Sequence, residues 1–259
     1  MGILNITPDS FADGRRHLDP AAAVEAGVRM AAAGADIIDV GGESTRPGAE
    51  PVGEDEELRR VMPVIAPLAR RVTIPISIDT YKARVAREAV AAGATIVNDI
   101  SGLQYEPALG GVAAETGAAL ILMHTRGRSA DMHERAVYGD VVAEVSAELE
   151  QAMARAAAAG VRREAIVLDP GFGFAKRAEQ SLELLARLGA LAALERPILS
   201  GPSRKSFLKA VIGERPPADR DWATAAAVTA SVLAGAHIVR VHNVAAMADV
   251  VRIADRLIS

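Results

Sequence analysis

Five times along the chain an alanine-rich run stops at a glycine and, within a few residues, becomes a short β-branched or apolar run. The join reads Ala-Ala-Gly-Ala-Asp-Ile-Ile-Asp-Val at 32–40, Ala-Ala-Gly-Ala-Thr-Ile-Val-Asn-Asp at 91–99 and Glu-Thr-Gly-Ala-Ala-Leu-Ile-Leu-Met at 115–123. It returns around Gly160 ahead of Ile166-Val167-Leu168, and around Gly235 ahead of Ile238-Val239-Arg240-Val241. A glycine there suits the left-handed residue that closes many helices. Helix, short loop and buried strand in repetition make the αβ half of a βαβ unit.

Strand candidates fall at 2–5, 36–40, 74–79, 95–99, 119–124, 165–169, 197–200 and 238–242. Amphipathic helical runs lie near 20–33, 54–70, 82–92, 107–115, 140–159, 178–193, 205–212 with 222–234, and 244–258. Eight units over 259 residues leave roughly 32 residues for each, the economy of a closed barrel. The expected fold class is therefore α/β, a single-domain (β/α)8 TIM barrel covering 1–259. A doubly wound open sheet is the alternative, but no Gly-x-Gly-x-x-Gly turn follows the first strand. That strand starts directly after Met1, so the cover of the barrel floor and the integrity of the strand are open questions.

Composition narrows the function. Cysteine is absent, which removes disulfides, thiolate nucleophiles and Cys-ligated metals. The net charge of −4 lacks the basic stripe of a nucleic-acid binder. No run approaches the ~18 apolar residues of a membrane-spanning helix, and no secretory leader is visible. A soluble cytoplasmic metabolic protein, without nucleic-acid or membrane partners, is expected. Aromatic residues are only 3%, and three of the four phenylalanines, Phe11, Phe172 and Phe174, sit in loop-like stretches beside Gly, Pro or Asp. Such residues either line a ligand pocket or plug the rim of the core.

Barrel enzymes build their sites at the C-terminal ends of the strands. Those ends here carry Asn5, then Asp79-Thr80, Asn98-Asp99, Met123-His124, Asp169-Pro170, and Arg240 with His242. Gly41–Gly48 and Ser203-Arg204-Lys205-Ser206 follow two further strands. Charges beside a core are costly unless paired, so a purely structural barrel has no use for this set. Arg240 and His242, two residues apart, face one way on a strand and suggest an anion, or else a surface ion pair. Arg46 could add a donor. Ser203–Ser206 opens a helix, where free N–H groups attract an anion and Ser203 could serve as the cap. Asp79, Asn98, Asp169 and Lys205 could surround a flat heterocycle with donors and acceptors on its edge. His124 is either a satisfied rim histidine or a pocket wall. His17, His133 and His237 are read as lying outside the site, and Glu54-Asp55-Glu56-Glu57 as the acidic first turn of a helix.

These residues carry a resemblance that covers almost the whole chain. Met1-Gly2-Ile3-Leu4-Asn5-Ile6-Thr7-Pro8-Asp9-Ser10-Phe11 and Gly42-Glu43-Ser44-Thr45-Arg46-Pro47-Gly48 resemble the two opening signatures of the dihydropteroate synthase family. Asn98-Asp99-Ile100, Leu168-Asp169-Pro170-Gly171-Phe172-Gly173-Phe174, Ser203-Arg204-Lys205-Ser206 and Arg240-Val241-His242 are similar to later blocks, in order. The resemblance implies joining a dihydropterin methylene group to the amine of para-aminobenzoate with release of pyrophosphate, a folate-biosynthesis step and sulfonamide target.

It also implies roles. Asp79, Asn98, Ile100, Met123, Asp169, Phe174 and Lys205 would hold the pterin, with Asp79, Asp169 and Lys205 catalytic. Asn5, Arg46, Arg240 and His242 would bind pyrophosphate. Phe11, Thr45, Pro47, Phe174, Lys205 and Ser206 would form the aminobenzoate slot. Asn5 and Asp13 would hold Mg2+, and a homodimer would form through outer helices, for which the alanine-rich 224–234 and 244–258 are suited. Three places depart from the family pattern. Tyr81-Lys82-Ala83 stands where Ser-Lys-Pro is usual and affects a helix start, Asn243 replaces a common Asp, and Pro202 a frequent Val.

Three rivals use the same residues. A pterin-binding methyltransferase would not need the pyrophosphate and aminobenzoate loops. A Schiff-base aldolase would use Lys205, its pKa depressed with help from Arg204, but would leave Asn5, Asp13 and the phenylalanines idle. A non-catalytic pterin-binding paralogue would be expected to lose some site residues.

Overall fold

A computed structural model describes residues 1–7, 19–44 and 50–258. The elements alternate as the glycine joins predict. They are β1 (Gly2–Asn5), α1 (Pro20–Ala32), β2 (Ile38–Gly41), α2 (Glu54–Ala69), β3 (Ile76–Asp79), α3 (Ala83–Ala91), β4 (Ile96–Asp99) and α4 (Ala108–Thr116). Then come β5 (Ala119–Met123), α5 (Val141–Ala158), β6 (Ile166–Asp169), α6 (Ala178–Ala186), β7 (Leu199–Ser200), α7 (Lys209–Ile212), α8 (Asp221–Leu233), β8 (Ile238–Val239) and α9 (Val244–Ile258). Gly34, Gly93, Gly117, Gly160 and Gly235 all have positive φ, between 71° and 117°, so each join turns through the left-handed region that glycine enters freely.

All strand pairs are parallel. β1 to β6 form one sheet in sequence order and β7 pairs with β8. Single bridges, Leu168 to Ile198 and Gly2 to Val241, join β6 to β7 and β8 to β1, which completes the cylinder. β7 is shorter than the 197–200 expected, Pro197 having no N–H to give the ladder, and β8 stops short of the 238–242 expected. After Val239 the chain passes between neighbours: Arg240 N donates to Ser200 O, and Val241 N to Met1 O.

Side chains two apart share a face of a strand, and paired residues of neighbouring strands point the same way. The register pairs Asn5 with Gly41, Gly41 with Asp79, Asp79 with Asn98, and Met123 with Asp169. The residues two positions earlier on these strands include Ile96, Ile121 and Val167, which pack with Met1, Ile37, Leu199 and Ile238 in one apolar cluster. The interior thus has an apolar floor and a polar mouth. Met1 is itself part of that floor, its amino group donating to Val239 O at 2.9 Å, and β1 is paired on both sides. The larger core lies between strands and helices, with Ile38, Val40, Leu68, Val97, Leu120, Leu168 and Phe172 fully buried.

Glu54, Asp55, Glu56 and Glu57 do form the acidic first turn of α2, and the last of them has a further role. Glu57 is completely buried, in line with Leu58, Val61, Val64, Ile65 and Leu68 on the inner face of the helix. The 3–4 spacing from Glu57 to Val61 puts it on the apolar side, where it pairs with the buried Lys82. Lys82 also meets Glu43 at 2.5 Å, and Tyr81 Oη donates to Glu43 Oε1 at 3.0 Å. One ammonium therefore pins the stem after β2 to α2 and to the start of α3. Lys82→Met leaves Glu57 buried without its counter-ion and should cost about 3–5 kcal/mol, whereas the Lys82→Met/Glu57→Leu double variant should recover most of it. Urea unfolding checks this: a single variant as stable as the double would contradict the pairing.

Candidate functional site

The polar mouth is organised around Arg240. Its Nε donates to Asp39 Oδ2 and its Nη2 to Asp79 Oδ2, both at 2.6 Å. Asp39 Oδ2 also accepts from Asn98 Nδ2 at 3.0 Å. The Asn98 amide is thereby turned so that its oxygen remains for a ligand. Asp39 Oδ1 and Ser77 Oγ, neighbours in the β2–β3 register, are buried without a hydrogen-bond partner among the described residues.

Asp169 stands across the mouth, its Oδ1 accepting from Gly171 N at 2.7 Å. Lys205 holds its ammonium 3.9 Å from the centroid of the Phe174 ring. The field of Asp169, and less that of Asp79, acts on that ammonium, so Asp79, Asp169 and Lys205 form one electrostatic group. Burial pushes Lys205 down to about 8 against those carboxylates. Burial, with the Asp39 charge nearby, lifts Asp79 to about 7 although Arg240 opposes it. Asp169 is raised too, chiefly by burial, with the Gly171 amide and Lys205 opposing. Arg240 is held above its usual value: burial disfavours its charge, and the Asp39 and Asp79 carboxylates outweigh that. Met123 ends β5 and Ile100 directly follows β4, and both are buried.

Asn5 Oδ1 and Asp79 Oδ2 flank the bare Cα of Gly41, where a Cβ would come within 3.6 and 3.5 Å of them. His242 is engaged differently from Arg240: its Nδ1 meets Ser203 Oγ at 2.9 Å, and its amide donates to the same hydroxyl at 3.1 Å. Ser203 is therefore a support for His242 and not a helix cap. The helical turn begins at the exposed Ser206, after Lys205 at the cap position. Arg204 pairs with Asp221 at 2.7 Å, so it takes no part in lowering Lys205.

Of the loop phenylalanines, Phe172 and also Phe207 are core plugs, stacked 5.8 Å apart, and Phe174 faces the site. His124 is the satisfied rim histidine, bonded to Glu148 at 3.0 Å and Lys176 at 2.8 Å. His237 accepts from Ile198 N. Phe11, Asp13, His17, Thr45, Arg46 and Pro47 lie outside the described residues.

Sequence reasoning missed Asp39 and Lys176. Alternation, used for the eighth strand, would have found Asp39, two residues before Gly41 on the inward face of β2. Lys176 offers no such signal, because it follows a loop.

A closed α/β barrel with a polar, ionised mouth and an apolar floor is the class that fold and site define. The family model described as pterin binding enzyme matches residues 1–242, and the chain belongs to that family. A curated dihydropteroate synthase from Synechocystis sp. is 48% identical over 257 residues, covering 99% of this chain and 89% of the relative. A dihydropteroate synthase structure from Clostridium difficile, determined with pteroic acid, superposes with a TM-score of 0.92 at 43% identity, covering 99% of this chain and 95% of that one. A Xanthomonas albilineans dihydropteroate synthase with 4-aminobenzoic acid gives 0.93 at 42% identity, covering 100% and 92%.

Between pH 4 and 7 the folded chain binds more protons at Asp79 than the unfolded chain, whose carboxyl titrates near the ordinary 3.8. Stability of the ligand-free protein should therefore fall as pH rises through that window. Thermal melts should show a flatter profile there in Asp79→Asn. An identical slope in both proteins would contradict the raised Asp79.

Proposed function

We propose that the chain is a dihydropteroate synthase: it condenses 6-hydroxymethyl-7,8-dihydropterin pyrophosphate with para-aminobenzoate to 7,8-dihydropteroate and pyrophosphate. The observation that carries this is the gathering of Asp79, Asn98, Asp169 and Lys205, from four different segments, into one half-dry mouth, in a chain whose relatives bear that name.

The ring's N–H and amino groups meet Asp79 and Asp169, the Asn98 oxygen accepts, and Lys205 donates to the ring carbonyl. The bond from the methylene carbon to oxygen breaks with its electron pair passing to pyrophosphate, leaving positive charge on the pterin. Asp79 and Asp169, already in place and poorly hydrated, stabilise that charge. The aniline nitrogen then forms the new C–N bond through its lone pair and sheds a proton to solvent. No strong base is required for that step. An arriving pyrophosphate can take the Nη2 side of Arg240 from Asp79 while Nε stays on Asp39. Asp79 is then released for the ring. Arg46 and His242 complete the pyrophosphate contacts, and Ser206, Phe174 and Lys205 with Phe11, Thr45 and Pro47 the aminobenzoate slot.

Among the described residues no three His, Asp or Glu side chains are grouped to hold a metal. The amide oxygen of Asn5 beside the bare Gly41 is the kind of hard oxygen donor that Mg2+ takes. Asn5 and Asp13 would hold the ion, and when bound it supplies positive charge to the leaving pyrophosphate.

A homodimer and a cytoplasmic location belong to the same proposal. The packed pair α8 and α9 exposes Trp222, Leu233, Ile253, Leu257 and Ile258, and apolar side chains of that size in water favour a partner surface. No described helix is long and apolar enough to cross a membrane.

Incubation with both substrates and Mg2+ should yield dihydropteroate and pyrophosphate, and excess chelator should stop it; undiminished turnover in chelator would remove the metal from the proposal. Lys205→Ala and Asp169→Ala should each reduce pterin binding by more than about a hundredfold while the fold survives, about 2.7 kcal/mol or more. Calorimetry giving wild-type affinity in both would refute the assignment. Sedimentation should show a dimer that Ile253→Glu with Leu257→Glu converts to a monomer.

A further inference from the structure

Lys176 is buried at 3% exposure, directly behind the pterin site, and has no part in the chemistry above. Its ammonium has three protons and three acceptors: His124 Nδ1 at 2.8 Å, Phe174 O at 3.0 Å and Gly171 O at 3.1 Å. The two carbonyls belong to the turn after β6, where Gly171, Gly173 and Ala175 all have positive φ, from 48° to 75°. Ala175 carries a Cβ in that region, and a Cβ on Gly171 would lie 2.1 Å from His124 O, so this backbone does not hold its shape by preference.

Both ends of the turn lead to the ligand. Gly171 N is the donor to Asp169, and Phe174 carries the ring against which Lys205 lies. We propose that Lys176 is a positioning residue for the pterin site: anchored on His124 Nδ1, its ammonium holds the turn 171–174 so that Asp169 and Phe174 stand where the ring needs them. The proposal rests on the pterin reading and extends it to a residue outside ligand contact.

The anchor is polarised along its length. Burial brings Lys176 down to about 7 against the pull of Asp169 and Glu148, so below that pH a charged ammonium faces His124 Nδ1 and the neutral ring bears its proton on Nε2, toward Glu148. Burial and the Lys176 charge hold His124 down at about 4, which keeps the ring neutral. Arg126 holds Glu148 from the far side and lies over the Tyr138 ring, and Tyr138 Oη donates to Ala175 O at 2.9 Å. The chain from Arg126 through Glu148 and His124 to Lys176 thus grips the turn at Gly171, Phe174 and Ala175.

The test reads the anchor and the ligand separately. Nitrogen-15 NMR of histidine between about pH 5 and 6, with His124 neutral and Lys176 charged, should show His124 as the Nε2–H tautomer, and Lys176→Met should move its titration to higher pH. Calorimetry with 6-hydroxymethylpterin should show at least about tenfold weaker binding in Lys176→Met. In turnover, KM for the dihydropterin substrate should rise by more than kcat falls. His124→Gln keeps a group near Nε2 but none at Nδ1, and should behave like Lys176→Met. His124→Asn keeps an acceptor near Nδ1, and should bind within about threefold of wild type. The asparagine and glutamine pair decides the case if Lys176→Met does not fold. Equal losses in that pair, or wild-type affinity in a folded Lys176→Met, would overturn the positioning role. A wild-type protein that fails to bind the pterin would overturn the functional reading, and an unmoved His124 titration in Lys176→Met would overturn the anchor by itself.

Discussion

The site depends on one guanidinium held between two buried carboxylates. Arg240 faces Asp39 and Asp79 at the same distance, and Asp39 shares its accepting oxygen with Asn98. Removing such charges from water costs several kcal/mol for each, and their mutual attraction offsets this only when every lone pair and proton is used. Here the use is incomplete: one Asp39 oxygen and the Ser77 hydroxyl have no partner among the described residues. The mouth is therefore held in tension by its own charges, three acids (Asp39, Asp79, Asp169) against Lys205 and Arg240. A ligand that brings an anion to Arg240 and a positive ring to the acids relieves that tension. The same feature that makes the ligand-free site unstable makes it selective for charge separation across a single bond.

The apolar floor bears the cost of that mouth. Met1, Ile121 and Leu199 fill the cylinder below the acids, and the strand–helix layer around it buries a long series of aliphatic side chains. With few aromatics, the core is made of many small contacts, each worth a fraction of a kcal/mol and large only in sum. The strands themselves are short, two to five residues, and the inward step below the mouth is mixed: Ile96, Ile121 and Val167 are apolar, while Asp39 and Ser77 on β2 and β3 are polar.

What could be read in the sequence is what local rules govern. The glycine joins gave the helix ends, and all five glycines turn left-handed. Strand-end reading found Asp79, Asn98, Asp169, Lys205 and Arg240, because in a barrel the end of a strand is a place in space as well as in sequence. The parts that were not legible depend on partners far along the chain. Asp39 and Arg240 are 201 residues apart, and Lys176 and His124 are 52 apart. Nothing near Ser203 says that it will support His242 in place of capping a helix. Glu57 lies in the acidic first turn as expected, but its burial shows only in its spacing to Val61 and Leu68, which places it on the inner face.

The departure from the family pattern at Tyr81-Lys82-Ala83 shows how a site tolerates change close by. Asp79 points into the barrel, and the residues that follow enter the loop after β3. There Tyr81 reaches Glu43 and meets the Tyr105 ring edge-on at 5.2 Å, and Arg128 lies over Tyr105 at 4.2 Å. α3 starts at Ala83 without a side-chain cap, while Thr80 Oγ1 accepts from Lys82 N at 3.2 Å and Thr80 N donates to Asn98 O at 3.1 Å. The new aromatic thus packs among groups of the loops after β2, β4 and β5, and the backbone bonds that fix Asp79 beside Asn98 run through Thr80. A substitution two residues from a buried acid can be absorbed this way, because β3 ends at Asp79 and residue 81 is no longer bound by the alternation that would turn it into the barrel.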